Sequence, residues 1–175
     1  LANPVWTDDF DPRKIYQETS PAVVLVTGAN PGSRFRSIGT GSIIRKDGLV
    51  ITNAHVILNL EHNKPYRNLW VYLKPKRLTG DFKKDTALRY RADLIAYSKA
   101  RDLAILKISK AGLFQDMSPL SFADSDHIRI GEKVVAIGHP EQGGFCCIPG
   151  SHKCNYKLPQ IISAAREEAP CAVVP

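Results

Sequence analysis

Apolar positions along this chain fall in short runs, most of them too brief for a helix and bounded by turn residues. Residues 22–27 (AVVLVT) are β-branched and apolar, with Ser20-Pro21 in front. Residues 37–44 and 49–52 flank Arg45-Lys46-Asp47-Gly48, and an Asp-Gly pair between two apolar runs is a strong hairpin signal. Residues 69–73 predict a further strand. Residues 89–97 follow with partial alternation that places Tyr90, Ala92, Leu94 and Ala96 on one face. Residues 103–108 and 133–138 complete the clear set, and residues 15–18 predict a short helix before Ser20-Pro21. Strands at this density, with turns between them, predict an all-β barrel or sandwich. The rhythm breaks near Gly143. Beyond it come Cys146-Cys147, Pro149-Gly150, Cys154, Pro159, Pro170 and Pro175, with residues 160–166 as one further strand.

Composition alters this picture little. The 175 residues amount to slightly more than one ordinary domain, and 43% apolar with 23% charged residues is usual for a globular chain. No apolar run approaches the ~20 residues of a membrane-spanning helix. The chain opens at Leu1 without a basic start followed by an apolar stretch, which reads as a mature product or a cut fragment.

Charge is more informative, because it is local. Residues 64–91 hold nine basic and two acidic residues, which accounts for the whole net charge of +7. Such a stripe could meet nucleic acid or an anionic membrane surface. With no nucleic-acid motif beside it, a solvated loop between strands is the preferred reading. The four cysteines, Cys146, Cys147, Cys154 and Cys171, are confined to the tail. They do not frame a disulfide-stapled fold, and their spacing lacks a paired zinc pattern, so no metal is expected. Their disulfide state stays open.

Two residues then carry candidate chemistry. His55 ends the run Gly39-Thr40-Gly41-Ser42 through Thr52-Asn53-Ala54-His55-Val56, and Asp102 opens Asp102-Leu103-Ala104-Ile105-Leu106-Lys107. Taken singly, the histidine would read as a hydrogen-bonded structural residue and the aspartate as a turn cap. Together with Ser20-Pro21-Ala22-Val23-Val24, the strand at 90–97, Phe122-Ala123-Asp124-Ser125, and Ile130-Gly131-Glu132-Lys133 running on to Gly138-His139-Pro140, the set resembles the trypsin-like serine proteases, and the HtrA (Deg) type above all.

The resemblance implies a double β-barrel, the first barrel complete and the second partial. Residues 1–20 would be an extension with a short helix, 21–112 the first barrel carrying His55 and Asp102, and 113–175 a linker and part of a second barrel. It implies a serine endopeptidase with no cofactor, His55 as general base and acid, Asp102 as its orienting partner, and polypeptide substrates. Location outside the cytoplasm is expected, specific nucleic-acid binding is not, and homo-oligomerisation is left open. The family's Gly-Asn-Ser-Gly-Gly-Pro turn does not occur in these residues. Ser151, in Pro149-Gly150-Ser151, is a weak echo followed by His152-Lys153 instead of glycines. His139 stands where the family often has asparagine and is expected on the surface. The missing turn suggests a truncated protease that by itself cleaves nothing. The alternative is a non-catalytic peptide-binding or regulatory protein on a protease scaffold.

Overall fold

Six strands close into a barrel in the order β1-β2-β3-β8-β7-β6: β1 Val23–Ala29, β2 Arg36–Arg45, β3 Leu49–Thr52, β6 Asn68–Tyr72, β7 Arg89–Ser98 and β8 Leu103–Ile108. The computed structural model describes residues 10–33, 36–59, 62–110, 114, 118–127, 133–139 and the backbone of 146–148. All pairings in the barrel are antiparallel. Closure follows from the alternation of the strands. Val24, Val26, Ile43, Val50, Val71, Leu106 and Ile108 are at most 1% exposed and fill the interior, with Phe114 closing one side. Burial of this kind contributes ~25 cal/mol per Å² of apolar surface, and it works only because the pleat sends alternate side chains to one side.

The hairpin signalled by Asp47-Gly48 forms as expected. Gly48 takes φ +83°, a left-handed conformation that suits glycine, and its N–H donates to the Arg45 carbonyl at 3.0 Å. Gly41 lies between side chains of the two strands that flank β2: a Cβ there would sit 2.8 Å from both Val26 Cγ2 on β1 and Val50 Cγ1 on β3. Helix α1 runs Pro12–Thr19, longer than the four residues expected. Asp11 explains the difference, since its carboxylate accepts from the N–H groups of Arg13 and Lys14 and Pro12 occupies the first turn.

Two details of register depart from the sequence reading. Leu94 pairs with Leu106 but Ala96 pairs with Ile105, so Ile95 is the extra residue of a bulge. The bulge resets the alternation. Tyr90, Ala92 and Leu94 still face the core, whereas Ala96 is exposed. The strand expected at 133–138 shrinks to β9, Ala136–Gly138, which pairs with β10, Cys146–Ile148. This two-stranded sheet packs on β1 and β2 and is the described part of a second barrel.

The basic window is more ordered than a plain loop. Short strands β4, Leu58–Asn59, and β5, Lys64–Pro65, pair where the window begins, and much of the rest lies in β6 and β7. The excursion between those two strands contains a helical turn, α3, Phe82–Asp85.

Candidate active site

Strand β3 delivers the chain to a four-residue helical turn, α2, Ala54–Ile57, and His55 is its exposed member. Ala54, Val56 and Ile57 are buried, so three of the four side chains anchor the turn and the fourth is presented to solvent. Gly39 makes that docking close. A Cβ at Gly39 would lie 2.3 Å from Val56 Cγ2 and 2.9 Å from Cγ1. Gly39→Ala is therefore expected to destabilise the fold by about 1–3 kcal/mol, as overpacking does. Val56→Ala should relieve much of that cost in a double-mutant cycle followed by urea unfolding. Strict additivity of the two substitutions would refute the contact.

Asp102 ends the tight turn that precedes β8. Its N–H donates to the Lys99 carbonyl at 3.1 Å, and its φ of +48° is left-handed, a conformation aspartate tolerates better than most residues. The turn swings its carboxylate onto α2. Oδ1 accepts from the His55 backbone N–H at 2.9 Å, and Oδ2 lies 2.7 Å from His55 Nδ1. Asn53 completes the arrangement. Its Nδ2 donates to the Asp102 carbonyl at 3.1 Å and to Oδ2 at 3.2 Å. In the sequence Asn53 is simply one residue of the run leading to His55. It stands at the N-cap of α2, but its side chain makes no capping bond and reaches the carboxylate instead.

The electrostatics fix the proton's place. Partial burial raises the Asp102 carboxyl, but the donors on it, His55 N–H first and then the ring and the Asn53 amide, outweigh that and leave it below the usual carboxylate range. An ionised carboxylate only accepts, so Nδ1 of a neutral His55 carries the hydrogen and Nε2 is left as the acceptor. The two side chains are 58% and 46% exposed, so Nε2 is reachable from outside.

A groove of about 450 Å³ is lined in part by Asp102 and Asn53. Leu103, Ser42 and Ile51 of the barrel also line it, together with Ile137 of β9 and Val135 just before that strand. Among the described residues, no three His, Cys, Asp or Glu side chains gather as a metal cluster. His139 corrects the sequence reading. It is 7% exposed and not on the surface, because β9 lays it against β2, where its N–H donates to Thr40 Oγ1 at 2.7 Å. Ser151 lies outside the described residues, so the structure joins His55 to Asp102 and is silent on any nucleophile.

A closed antiparallel barrel with a histidine–aspartate pair at its rim and a second sheet beside it defines the class: the leading half of a two-barrel serine peptidase fold. The chain belongs to the trypsin-like peptidase domain family, whose profile matches residues 39–167, and its relatives place it in the HtrA type. The magnetosome formation protease MamE of Magnetospirillum gryphiswaldense is 33% identical over 113 residues, 64% of this chain and 12% of that protein. Serine protease HTRA1 of Xenopus laevis is 35% identical over 102 residues, 58% of this chain and 18% of that protein. The chain thus spans less than a fifth of the length of these two relatives. Among solved structures, the Rv3671c protease from M. tuberculosis in its active form is 26% identical with a TM-score of 0.57, over 83% of this chain and 52% of that one. The HtrA-type protease AlgW, at 24% identity and TM-score 0.60 over 79% of this chain and 38% of that one, shares the fold.

Proposed function

We propose that this chain is the barrel-forming part of a serine endopeptidase of the HtrA type, in which His55 is the general base and acid and Asp102 its orienting partner. The observation that carries the reading is the 2.7 Å contact from His55 Nδ1 to Asp102 Oδ2, with Oδ1 on the His55 backbone N–H. In peptide hydrolysis, Nε2 takes the hydroxyl proton as the serine oxygen attacks the scissile carbonyl. The imidazolium formed is stabilised by the Asp102 carboxylate, and Nε2 then returns the proton to the leaving amine. The 450 Å³ groove beside the pair offers an apolar wall for an extended polypeptide. We take residues 21–112 as the first barrel and 113–175 as the linker and start of the second. Two relatives are named as probable periplasmic endoproteases, which supports a working location outside the cytoplasm.

The experiment is incubation with unfolded casein together with a serine-reactive phosphonate, followed by mass spectrometry of the labelled peptide. From these 175 residues alone the reading expects casein left intact; from the full-length protease it expects cleavage, one labelled serine, and loss of both in His55→Ala. A folded full-length protein that binds casein, stays unlabelled and leaves it intact would overturn it. That outcome would establish the second reading, a peptide-binding protein on a protease scaffold, which rests on the absence of any Gly-x-Ser-Gly-Gly sequence from these residues.

A further inference from the structure

The excursion between β6 and β7 inverts the usual rule of burial. Its one buried charged residue is an acid. Asp85 is 2% exposed and accepts from Thr79 N–H and Thr79 Oγ1, both at 2.8 Å, and from Gly80 N–H at 3.0 Å. Two of its three large apolar residues are exposed instead, Phe82 at 43% and Leu88 at 48%, while Leu78 is half-buried. Exposed beside them stand Lys76, Arg77, Lys83 and Lys84. Only Lys84 has an acidic partner among the described residues, Asp81 at a loose 3.8 Å.

This is not a floppy charge run. The excursion is closed at its neck by the Leu73 N–H donating to the Leu88 carbonyl at 2.9 Å, and Asp85 staples its interior. The fold therefore spends a buried carboxylate to hold two apolar side chains and four cations outward. Water gives no reason for that arrangement, since exposed Phe and Leu lose hydrophobic free energy there. An anionic bilayer gives two. Its headgroups attract the cations, and its interfacial region accepts the apolar side chains. Single-stranded nucleic acid fits less well, because stacking draws on several open aromatic faces and the excursion offers Phe82 alone. The neighbouring tryptophan is already taken: the Arg89 guanidinium lies over the Trp70 ring at 4.9 Å, and Arg91 sits opposite Trp70 in the ladder.

We propose that the β6–β7 excursion is a membrane-surface contact, in which Lys76, Arg77, Lys83 and Lys84 meet anionic lipid headgroups while Phe82 and Leu88 enter the interface. It is independent of whether the His55–Asp102 pair is catalytic.

The test is co-sedimentation of the chain with vesicles of phosphatidylcholine alone or mixed with phosphatidylglycerol, at about 0.05 M and about 0.5 M salt to span weak and strong screening. Binding is expected to the mixed vesicles at low salt, weakened at high salt, and absent with phosphatidylcholine alone. Lys83→Gln with Lys84→Gln should weaken it by on the order of 20-fold. Phe82→Ser with Leu88→Ser, both at exposed positions, should weaken it by roughly tenfold with the charge unchanged. Circular dichroism confirms that each variant is folded. Absence of binding to mixed vesicles at low salt overturns the proposal, as does wild-type binding by either variant. Tighter binding to a single-stranded oligonucleotide than to the vesicles would assign the surface to nucleic acid instead.

Discussion

With His55 and Asp102 in the roles proposed above, Asp102→Asn is expected to lower peptide-bond hydrolysis by the full-length protease by about 10⁴-fold without unfolding the barrel. The reason lies in what surrounds the carboxylate. Oδ1 accepts from the His55 backbone N–H, and Oδ2 accepts from both the Asn53 amide and His55 Nδ1. Every direction from which the carboxylate is approached brings a hydrogen. An asparagine offers one oxygen and one NH₂. With its oxygen on the backbone N–H, its NH₂ must face the Asn53 amide and the ring. The ring relieves the conflict by moving its hydrogen to Nε2 and accepting at Nδ1, which removes the only atom able to take the serine proton. The loss should fall on kcat, with casein binding little changed. Measuring kcat and KM separately decides the matter: a loss confined to KM would mean that Asp102 shapes the groove and does not set the tautomer.

Asn53→Ala probes the same geometry from its other side. It removes the donor that reaches both the Asp102 carbonyl and Oδ2 while leaving the His55 contacts in place. A smaller loss is expected, on the order of tenfold, comparable to other residues that orient a functional group through a hydrogen bond. A loss as large as that of Asp102→Asn would show that the left-handed turn itself collapses without Asn53.

Much of this architecture was legible in the residues, because the barrel obeys local rules. The Asp47-Gly48 hairpin rests on turn chemistry and the apolar runs of β1, β3 and β8 on strand patterning, whereas His55 and Asp102 stood out only through the family resemblance. Departures occur where a distant contact decides. The Ile95 bulge is set by pairing with β8, and nothing in residues 89–97 marks it. Asn53 could cap a helix or reach across to another segment, and only the left-handed turn at Asp102, 49 positions away, selects the second. His139 stands where the family often has asparagine and is expected on the surface. Its burial depends on β9 lying against Thr40, a contact between residues 99 positions apart. The exposure of Phe82 and Leu88 depends on how the excursion folds back on Asp85, and nothing in the residues beside them marks it.

Acidification is expected to loosen the seam between the two sheets through His139. The ring is 7% exposed, and burial lowers its pKa from 6.5 to about 4. Around it, Thr40 Oγ1 lies 3.3 Å from Nδ1, and Lys74 and Tyr16 line the same small cavity, with the Lys74 ammonium bonded to Ser20 Oγ at 3.0 Å. The sign follows from linkage. The folded state holds the neutral ring and the unfolded chain binds a proton below about 6.5, so the unfolded state gains protons first as pH falls. Stability contributed by this site is intact above 6.5, declines as pH drops, and stops declining near 4, where the folded ring also protonates. Over that window the loss amounts to about 3 kcal/mol, and by pH ~4.5 most of it is reached. Carboxylates titrate in the same range, so the wild type alone is not diagnostic. His139→Asn keeps a polar side chain of similar reach and cannot charge. The quantity to measure is the difference in urea-unfolding free energy between pH ~7.5 and pH ~4.5, in both proteins. The variant should lose less by roughly 2.5 kcal/mol, the part assigned to this ring. Equal losses would mean that water reaches the ring and its proton affinity is ordinary, and that the contact of β9 with Thr40 opens in solution.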